Sequence, residues 1–292
     1  MTIPASETAT RGAPATQPDA DVGGRLARRF AALRARNEAA FVPFLMAGDR
    51  GLDTTAQLMD ALVRAEADVI ELGVPFSDPM ADGPIHQRAA ERALRAGTTL
   101  RGVLDLVADF RRRSDVPVVV FGYANPFLRF GAEPLARAAA AAGADALLCV
   151  DMPPEEADEL RLPLRAAGLD MIFLLAPTST HGRIHRVLAA ASGFVYFVSV
   201  TGVTGVKAAD PERIAGLVRT IRGETQLPVG VGFGISRPEQ AARVSAMCDA
   251  VIVGSALSKL VEDAPDAAAA VAAVESLARS LKAATRRPEP LT

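Results

Sequence analysis

The feature that most constrains this chain is a repeated alternation of short apolar runs with longer segments of helical periodicity. The apolar runs are nearly continuous in Val, Ile, Leu and Phe, as expected of strands that are buried on both faces of a parallel sheet. We predict strands at residues 40–46, 68–73, 116–123, 146–151, 170–176, 194–200, 228–234 and 250–254. Helical periodicity is clearest at residues 54–65, 133–142, 155–167 and 211–221.

Glycine residues mark the ends of several predicted helices. Gly143 and Gly168 each follow a helical segment and come two residues before an aspartate, Asp145 or Asp170, at the beginning of the next strand or just before it. This pattern is typical of a glycine that ends a helix in the left-handed conformation. About eight β/α units within roughly 250 residues predict an α/β fold, a single-domain TIM (β/α)8 barrel. A doubly wound open sheet is the alternative, but it usually has fewer strands, and no G-x-G-x-x-G motif opens the first helix.

The two ends of the chain lack the apolar periodicity of the middle. Residues 1–21 are rich in Thr, Ala and Pro, and we expect a disordered N-terminal extension there. The barrel, with an additional N-terminal helix, is expected to span residues 22–284, and residues 285–292 are expected to form a flexible tail.

Composition and charge limit the partners of this chain. Its 292 residues carry a formal net charge of −2 with a pI near 6.0, which gives no reason to expect nucleic acid or an anionic membrane as a partner. The apolar runs are too short to span a membrane. Cys149 and Cys248 form no metal or disulfide pattern, so a reduced, cytoplasmic setting is the simplest interpretation.

Residues 71–84, ELGVPFSDPMADGP, combine acidic side chains with a strand end. In a TIM barrel the catalytic groups lie at the carboxyl ends of the strands, and Glu71 lies there on the second predicted strand. Its apolar neighbours disfavour the charged form and raise the pKa toward the range of a general acid or base. The alternative is a strand-end carboxylate that only accepts backbone hydrogen bonds.

The loop after Glu71 holds two aspartates, Asp78 and Asp82, among three prolines. Proline restricts the backbone and lowers the entropy of the unfolded loop, so the loop can hold a carboxylate near a ligand. The alternative is an ordinary turn capped by aspartate side chains. That alternative fits Asp78, which precedes a proline, better than Asp82.

Glycine-bearing segments follow the last three predicted strands, at residues 202–205, 232–236 and 254–256. In TIM barrels the loops after strands seven and eight commonly bind phosphate, because glycine lets backbone N–H groups approach the oxyanion. A helix that begins at Ser255 would add its dipole. No Lys or Arg lies in the last two segments, so we expect phosphate binding mainly by backbone amides.

Lysine and histidine positions restrict the class of reaction. A Schiff-base aldolase needs a buried lysine on a barrel strand, and Lys207, Lys259 and Lys282 do not lie on predicted strands. His181 and His185 are four residues apart on a predicted helix, but no third ligand is evident, so we expect exposed helix residues and no metal site. The reaction class that remains is proton transfer by Glu and Asp side chains on a phosphorylated small molecule.

Four further polar side chains lie near the predicted barrel mouth. Tyr123 and Asn125 follow the third strand and are candidates for positioning residues. Tyr196 lies inside the sixth strand, where its side chain either points into the barrel beside the substrate or packs in the core. His86 follows the acidic loop and receives no role.

The motifs, taken in order, carry a resemblance to a known family. They are FVPFLMAGD (41–49), ELGVPFSDPMADGP (71–84), GYANPFLRFG (122–131), DMPPEE (151–156), TGVTG (201–205), VGFGIS (231–236) and VGSA (253–256). Across about residues 25–281 the chain resembles the α subunits of tryptophan synthase.

The resemblance implies a lyase that cleaves indole-3-glycerol phosphate to indole and glyceraldehyde 3-phosphate by a retro-aldol reaction without a cofactor. Glu71 matches the general acid/base, which protonates the indole C3 and helps to take the glycerol hydroxyl proton. Asp82 matches the aspartate that holds the indole N–H. Protonation at C3 makes the indole an electron sink, which is consistent with the reaction class reached from the residues alone.

The resemblance also assigns the binding residues. Phosphate-binding residues are expected to be Gly205, Phe233, Gly234, Gly254 and Ser255. The substrate pocket is expected to include Phe44, Phe121, Tyr123, Leu148, Leu174, Tyr196 and Thr204. Thr204 matches the threonine that contacts the loop aspartate when the site closes. Val200, Phe121 and Cys149 depart from the family pattern, the first in the sixth loop and the others at expected pocket-wall positions.

Finally, the resemblance implies a partner. The α subunit works with a β subunit that contains pyridoxal phosphate and receives indole through a tunnel, in an α2β2 heterotetramer. Pro75, Pro79 and Asn125 would then lie near the subunit contact. A stand-alone lyase that releases free indole and a catalytically inactive scaffold for the β subunit are the alternatives.

Overall fold

A computed structural model describes residues 24–198, 211–232 and 234–287. Its centre is a closed barrel of eight parallel strands in which each strand pairs with its neighbours in sequence, and β1 pairs with β8. The strands are β1 (Ala40–Met46), β2 (Ile70–Gly73), β3 (Val118–Gly122), β4 (Ala146–Cys149), β5 (Asp170–Leu175), β6 (Val195–Val198), β7 (Val229–Gly232) and β8 (Ala250–Val253). The prediction of a TIM barrel is confirmed.

Helices follow the strands and surround the barrel, and a further helix precedes β1. The helices of the described residues are α1 (Arg25–Ala35), α2 (Leu52–Arg64), α3 (Pro84–Arg95), α4 (Leu100–Arg111), α5 (Ala124–Phe130), α6 (Ala132–Ala142), α7 (Asp158–Ala166), α8 (His181–Ala190), α9 (Pro211–Glu224), α10 (Pro238–Ser245), α11 (Ser255–Asp263) and α12 (Ala267–Ala284). None of them is long and apolar enough to cross a bilayer. Gly143 and Gly168 end α6 and α7 with φ of 81° and 76°, in the left-handed region that the sequence predicted for them.

The apolar residues form two layers, one inside the barrel and one between the barrel and its helices. Side chains alternate along each strand, so Val42 and Leu148 face the interior while Phe41 and Leu147 face the helices. The helix α1 closes the amino end of the barrel, where the ring centroid of Phe30 lies 5.7 Å from that of Phe194. The interior is therefore packed at one end and available for chemistry at the other.

The predicted boundaries can be compared with the structure only at the carboxyl end. Thr285 is fully buried, and the Arg287 guanidinium donates hydrogen bonds to the carbonyls of Ser245 and Cys248. Residues 285–287 thus pack on the barrel although the sequence placed them in the tail. The remainder of that tail and the predicted extension at 1–21 lie outside the described residues.

Candidate active site

Glu71 lies on β2 and faces the interior at the carboxyl end of the barrel. Its register partners are Phe44 on β1 and Val119 on β3. The side chain is buried, and Oε1 makes no hydrogen bond within the described residues. Burial alone raises the pKa of this carboxyl to about 8, because nothing nearby compensates the loss of water around the charged form. Glu71 is therefore protonated at neutral pH and can donate a proton.

Asp82 lies in the loop between β2 and α3, and Tyr123 at the end of β3 holds that loop. The Tyr123 hydroxyl accepts a hydrogen bond from the backbone N–H of Ala81 at 3.1 Å and bonds to the Asp82 carboxylate. Its ring lies against Phe76, with centroids 5.3 Å apart. Burial raises the pKa of Asp82 to about 6, and the bond from Tyr123 opposes that rise. Asp82 is therefore mainly ionised at neutral pH.

Tyr196 on β6 points into the barrel, the first of its two predicted orientations. It packs against the interior layer, and the pKa of its hydroxyl is raised well above its usual range by burial and by the nearby Glu71 and Asp82 carboxyls. On the adjacent strand β7, a Cβ at Gly232 would lie 2.5 Å from the Tyr196 hydroxyl oxygen. Glycine at position 232 is therefore what gives the tyrosine ring room beside Glu71.

An apolar wall surrounds these polar groups. The rings of Phe44 and Phe121 meet edge to face with centroids 5.2 Å apart, and a Cβ at Gly73 would lie 2.5 Å from the Phe44 ring. Leu174 packs partly exposed against the interior layer, whereas Leu148 is fully buried in it. The expected pocket residues on β1, β3, β4, β5 and β6 thus share the barrel interior with Glu71.

The predicted phosphate site is described in part. Gly254 precedes α11, which begins at Ser255 as predicted, and Gly234 follows β7 with a φ of 60°. An eight-stranded parallel barrel brings the ends of β7 and β8 side by side, so these backbone N–H groups share one edge. Gly205, Phe233, Thr204 and Val200 lie outside the described residues.

His86, whose role the sequence does not indicate, also lies in this region. Its imidazole would lie 3.0 Å from a Cβ at Gly254, and its centroid lies 4.8 Å from that of Phe44. Burial lowers its pKa to about 4, so it is neutral near pH 7. The buried positions Ala89, Ala90 and Ala93 on α3 continue the same helical face, which is the sequence signal that could have identified it.

Other candidates lie away from these groups. Asp78 is exposed and accepts a hydrogen bond from the neighbouring Ser77 hydroxyl, within the loop itself. Cys149, expected at a pocket wall, packs instead in the layer between barrel and helices, because its register position faces outward. His181 and His185 are exposed on α8, as expected, but Glu224 of α9 lies beside them.

Comparison with known proteins places this arrangement in a family. The sequence profile described as "Tryptophan synthase alpha chain" matches residues 30–286. The chain belongs to that family. It is 52% identical over 262 residues to the tryptophan synthase α chain of Thioalkalivibrio sulfidiphilus, covering 89% of this chain and 98% of the relative. The α chain of Citrifermentans bemidjiense is 53% identical over 238 residues, covering 82% of this chain and 89% of the relative.

Solved structures agree with the sequence relatives. Tryptophan synthase subunit α of Legionella pneumophila superposes with a TM-score of 0.84 at 37% identity, over 90% of this chain and 98% of that one. A chain of tryptophan synthase from M. tuberculosis in an open form superposes with a TM-score of 0.82 at 36% identity, over 90% of this chain and 99% of that one. The recognised family and the predicted lyase activity are thereby confirmed: members of the tryptophan synthase α chain family are enzymes that cleave indole-3-glycerol phosphate in tryptophan biosynthesis.

Proposed function

We propose that this chain cleaves indole-3-glycerol phosphate with Glu71 as general acid and base and Asp82 as the group that holds the indole nitrogen. The observation that carries the assignment is the buried carboxyl of Glu71, whose Oε1 has no hydrogen-bond partner within the described residues. A buried polar atom without a partner costs free energy, so its retention at a strand end favours a chemical role.

The proposed reaction uses only these two carboxyls, and Glu71 makes both proton transfers. Protonated Glu71 gives its proton to indole C3, and the positive charge that develops on the ring nitrogen is stabilised by the Asp82 carboxylate. The resulting Glu71 carboxylate takes the proton of the hydroxyl on the glycerol carbon attached to C3. The carbon–carbon bond then breaks, its electron pair returns to the indole ring, and the hydroxyl carbon becomes the aldehyde of glyceraldehyde 3-phosphate. Glu71 ends protonated, as it began.

The surroundings support this chemistry. An apolar wall that includes Phe44 and Phe121 suits a flat indole ring and keeps water from Glu71. The backbone at Gly254 and Ser255, at the start of α11, suits the phosphate, with Gly205, Phe233 and Gly234 as the other proposed contacts. Because the protonated indole is the electron sink, the proposed route uses no cofactor in this chain.

We also propose that the chain works in the cytoplasm as the α subunit of an α2β2 complex whose β subunit holds pyridoxal phosphate. The loop that carries Asp82 presents Met80 with 92% of its surface exposed, and Asn125 is exposed at the start of α5 near the same end of the barrel. Methionine is used often at protein-binding surfaces, so Met80 supports a partner at this end of the barrel. Partner binding there would couple to the position of Asp82.

The test of the chemistry is Glu71→Gln, which keeps the shape of the side chain and removes its proton-transfer capacity. We expect cleavage of indole-3-glycerol phosphate, followed as glyceraldehyde 3-phosphate release, to fall by about 10²–10⁴-fold. The matched control is Glu91→Gln on α3, whose exposed carboxylate pairs with Arg95 and should leave the rate unchanged. Retained activity in Glu71→Gln would refute the assignment, and an inactive wild type would favour the scaffold alternative.

The test of the partner compares wild-type cleavage rates with and without an added tryptophan synthase β chain. We expect stimulation by the β chain and its loss in Met80→Asp, with the control Leu162→Asp, another exposed apolar residue, retaining it. Equal rates with and without the β chain would favour the stand-alone lyase that releases free indole.

A further inference from the structure

On the outer surface of the barrel, α8 and α9 bring together three side chains that can bind a metal ion. His181 and His185 lie one turn apart on α8, and Glu224 is the last residue of α9. One ligand atom from each of the three lies within 4.8 Å of the others. We propose that His181, His185 and Glu224 form a binding site for a divalent transition metal ion such as Zn²⁺, separate from the active site.

The helix itself places the two imidazoles on one face. Residues four apart on an α-helix point the same way, and the buried side chains of Ile184, Val187 and Leu188 anchor α8 to the rest of the fold. The Nε2 atoms of His181 and His185 lie 3.0 Å apart. Four-coordinate Zn²⁺ with bonds of about 2.0–2.2 Å has ligand atoms roughly 3.3–3.6 Å apart, so an ion needs only a small widening of this pair.

Glu224 completes the set with both of its oxygens. Oε1 lies 3.3 Å from Nδ1 of His181, and Oε2 lies 3.7 Å from Nε2 of His185. A carboxylate at Nδ1 fixes the tautomer that leaves the Nε2 lone pair available for a metal. Oε2 is buried and makes no hydrogen bond within the described residues. Its lone pairs are therefore available to a metal ion.

The local charges favour a cation at this place. The two arginines of α8 that are nearest in sequence, Arg183 and Arg186, both pair with Glu155. These two guanidinium groups therefore form ion pairs with Glu155, whereas the Glu224 carboxylate faces the imidazoles. More than half of each histidine side chain is exposed, so an ion can enter from solvent and keep water in its remaining position.

The donor set selects the class of metal. Two imidazole nitrogens and one carboxylate oxygen suit Zn²⁺, Ni²⁺ and Cu²⁺, whereas Mg²⁺ and Ca²⁺ prefer oxygen ligands. Since the ligands come from two helices, a bound ion would link α8 to α9 and stabilise the folded chain by mass action. This inference does not depend on the proposed catalytic roles.

The experiment titrates ZnCl2 into the full chain, freed of any polyhistidine tag and stripped of metal with a chelator, by isothermal titration calorimetry. We expect one equivalent of Zn²⁺ to bind, with at least tenfold weaker binding in His181→Ala and in His185→Ala. Glu224→Gln should weaken binding by about 10–100-fold. Glu212→Gln is the matched control, because it removes the same charge about 18 Å away along α9. MgCl2 at the same concentration should give no binding.

A second readout keeps the proposal testable if a variant is hard to prepare. Zn²⁺ should raise the melting temperature of the wild type and leave that of a His181→Gln, His185→Gln double variant unchanged. A wild type that binds Zn²⁺ no more tightly than about 1 mM would overturn the proposal. Undiminished affinity in the double variant, or an equal response to Mg²⁺, would overturn it as well.

Discussion

The two ends of the barrel treat their buried acidic side chains in opposite ways. At the amino ends of the strands, three buried or half-buried aspartates each accept a hydrogen bond from a backbone N–H of the neighbouring strand: Asp68 from Phe41, Asp145 from Val118 and Asp249 from Val229, at 2.8, 2.8 and 3.0 Å. Cations complete these contacts, as with Lys282 Nζ, which lies 2.7 Å from Asp68. At the carboxyl ends, the Glu71 Oε1 has no partner within the described residues.

The difference separates stability from chemistry. A buried carboxylate with a matched cation and a backbone donor ties two strands together. A buried carboxyl without such partners holds its proton at neutral pH, which weakens the fold and supplies an acid. Acidic side chains therefore stabilise the fold at the amino end and supply chemistry at the carboxyl end, because their neighbours differ.

The largest effect on stability is expected from Asp68→Ala at the amino end. The substitution leaves the Lys282 ammonium, which is 4% exposed, without its closest carboxylate, and leaves the Phe41 N–H without its acceptor. We expect the free energy of unfolding, measured by urea denaturation, to fall by about 3–5 kcal/mol. The control Asp109→Ala removes an exposed pair with Arg112 and should cost less than about 1 kcal/mol. Equal losses of unfolding free energy in the two variants would mean that the buried Asp68 contacts stabilise the fold no more than an exposed ion pair does.

At the carboxyl end, Glu71 should lower the free energy of unfolding once it is ionised, and Glu71→Gln should remove that effect. A carboxyl whose pKa is raised from 4.5 to about 8 on folding stabilises the protein below pH 4.5, and this stability is lost as the pH rises through 8. Relative to Glu71→Gln, the wild type should therefore lose up to roughly 4 kcal/mol between pH 5 and pH 8.5. The measurement is urea denaturation of both proteins at several pH values. A constant difference across that range would mean that Glu71 titrates normally in the fold.

The sequence predicted the framework of this comparison but not its details. The interval 40–46 was predicted as β1 without error because every residue of it is buried and the apolar run is unbroken. The orientation of Tyr196 depended on its register with Gly230 of β7 and on space at Gly232, which a single strand does not reveal. Two other contacts also join elements that are far apart in sequence, so the sequence does not reveal them. They are the bond between Tyr123 and Asp82 and the contact of Glu224 with the α8 histidines.

The pH dependence of catalysis tests the carboxyl end directly. Cleavage needs ionised Asp82 and protonated Glu71, so kcat/KM should fall below about pH 6 and above about pH 8. Each limb should fall tenfold per pH unit once the group concerned is fully in its inactive form. His86, with a pKa near 4, contributes to neither limb. An alkaline limb that persists in Asp82→Asn but is absent from the residual activity of Glu71→Gln would assign it to Glu71.

The smallest effect is expected from Tyr123→Phe, which alters the neighbours of Asp82 and leaves both carboxyls in place. The Tyr123 hydroxyl lowers the pKa of Asp82 against the effect of burial, so its removal should move the acid limb of kcat/KM to higher pH. The loss of one hydrogen bond to a charged group corresponds to about 1.5–3 kcal/mol at most, a shift of roughly one to two pH units. The ring at position 123 should remain in contact with Phe76, since that contact does not involve the hydroxyl. A fall in kcat/KM by one factor at every pH, with the acid limb unmoved, would instead assign Tyr123 to the shape of the loop.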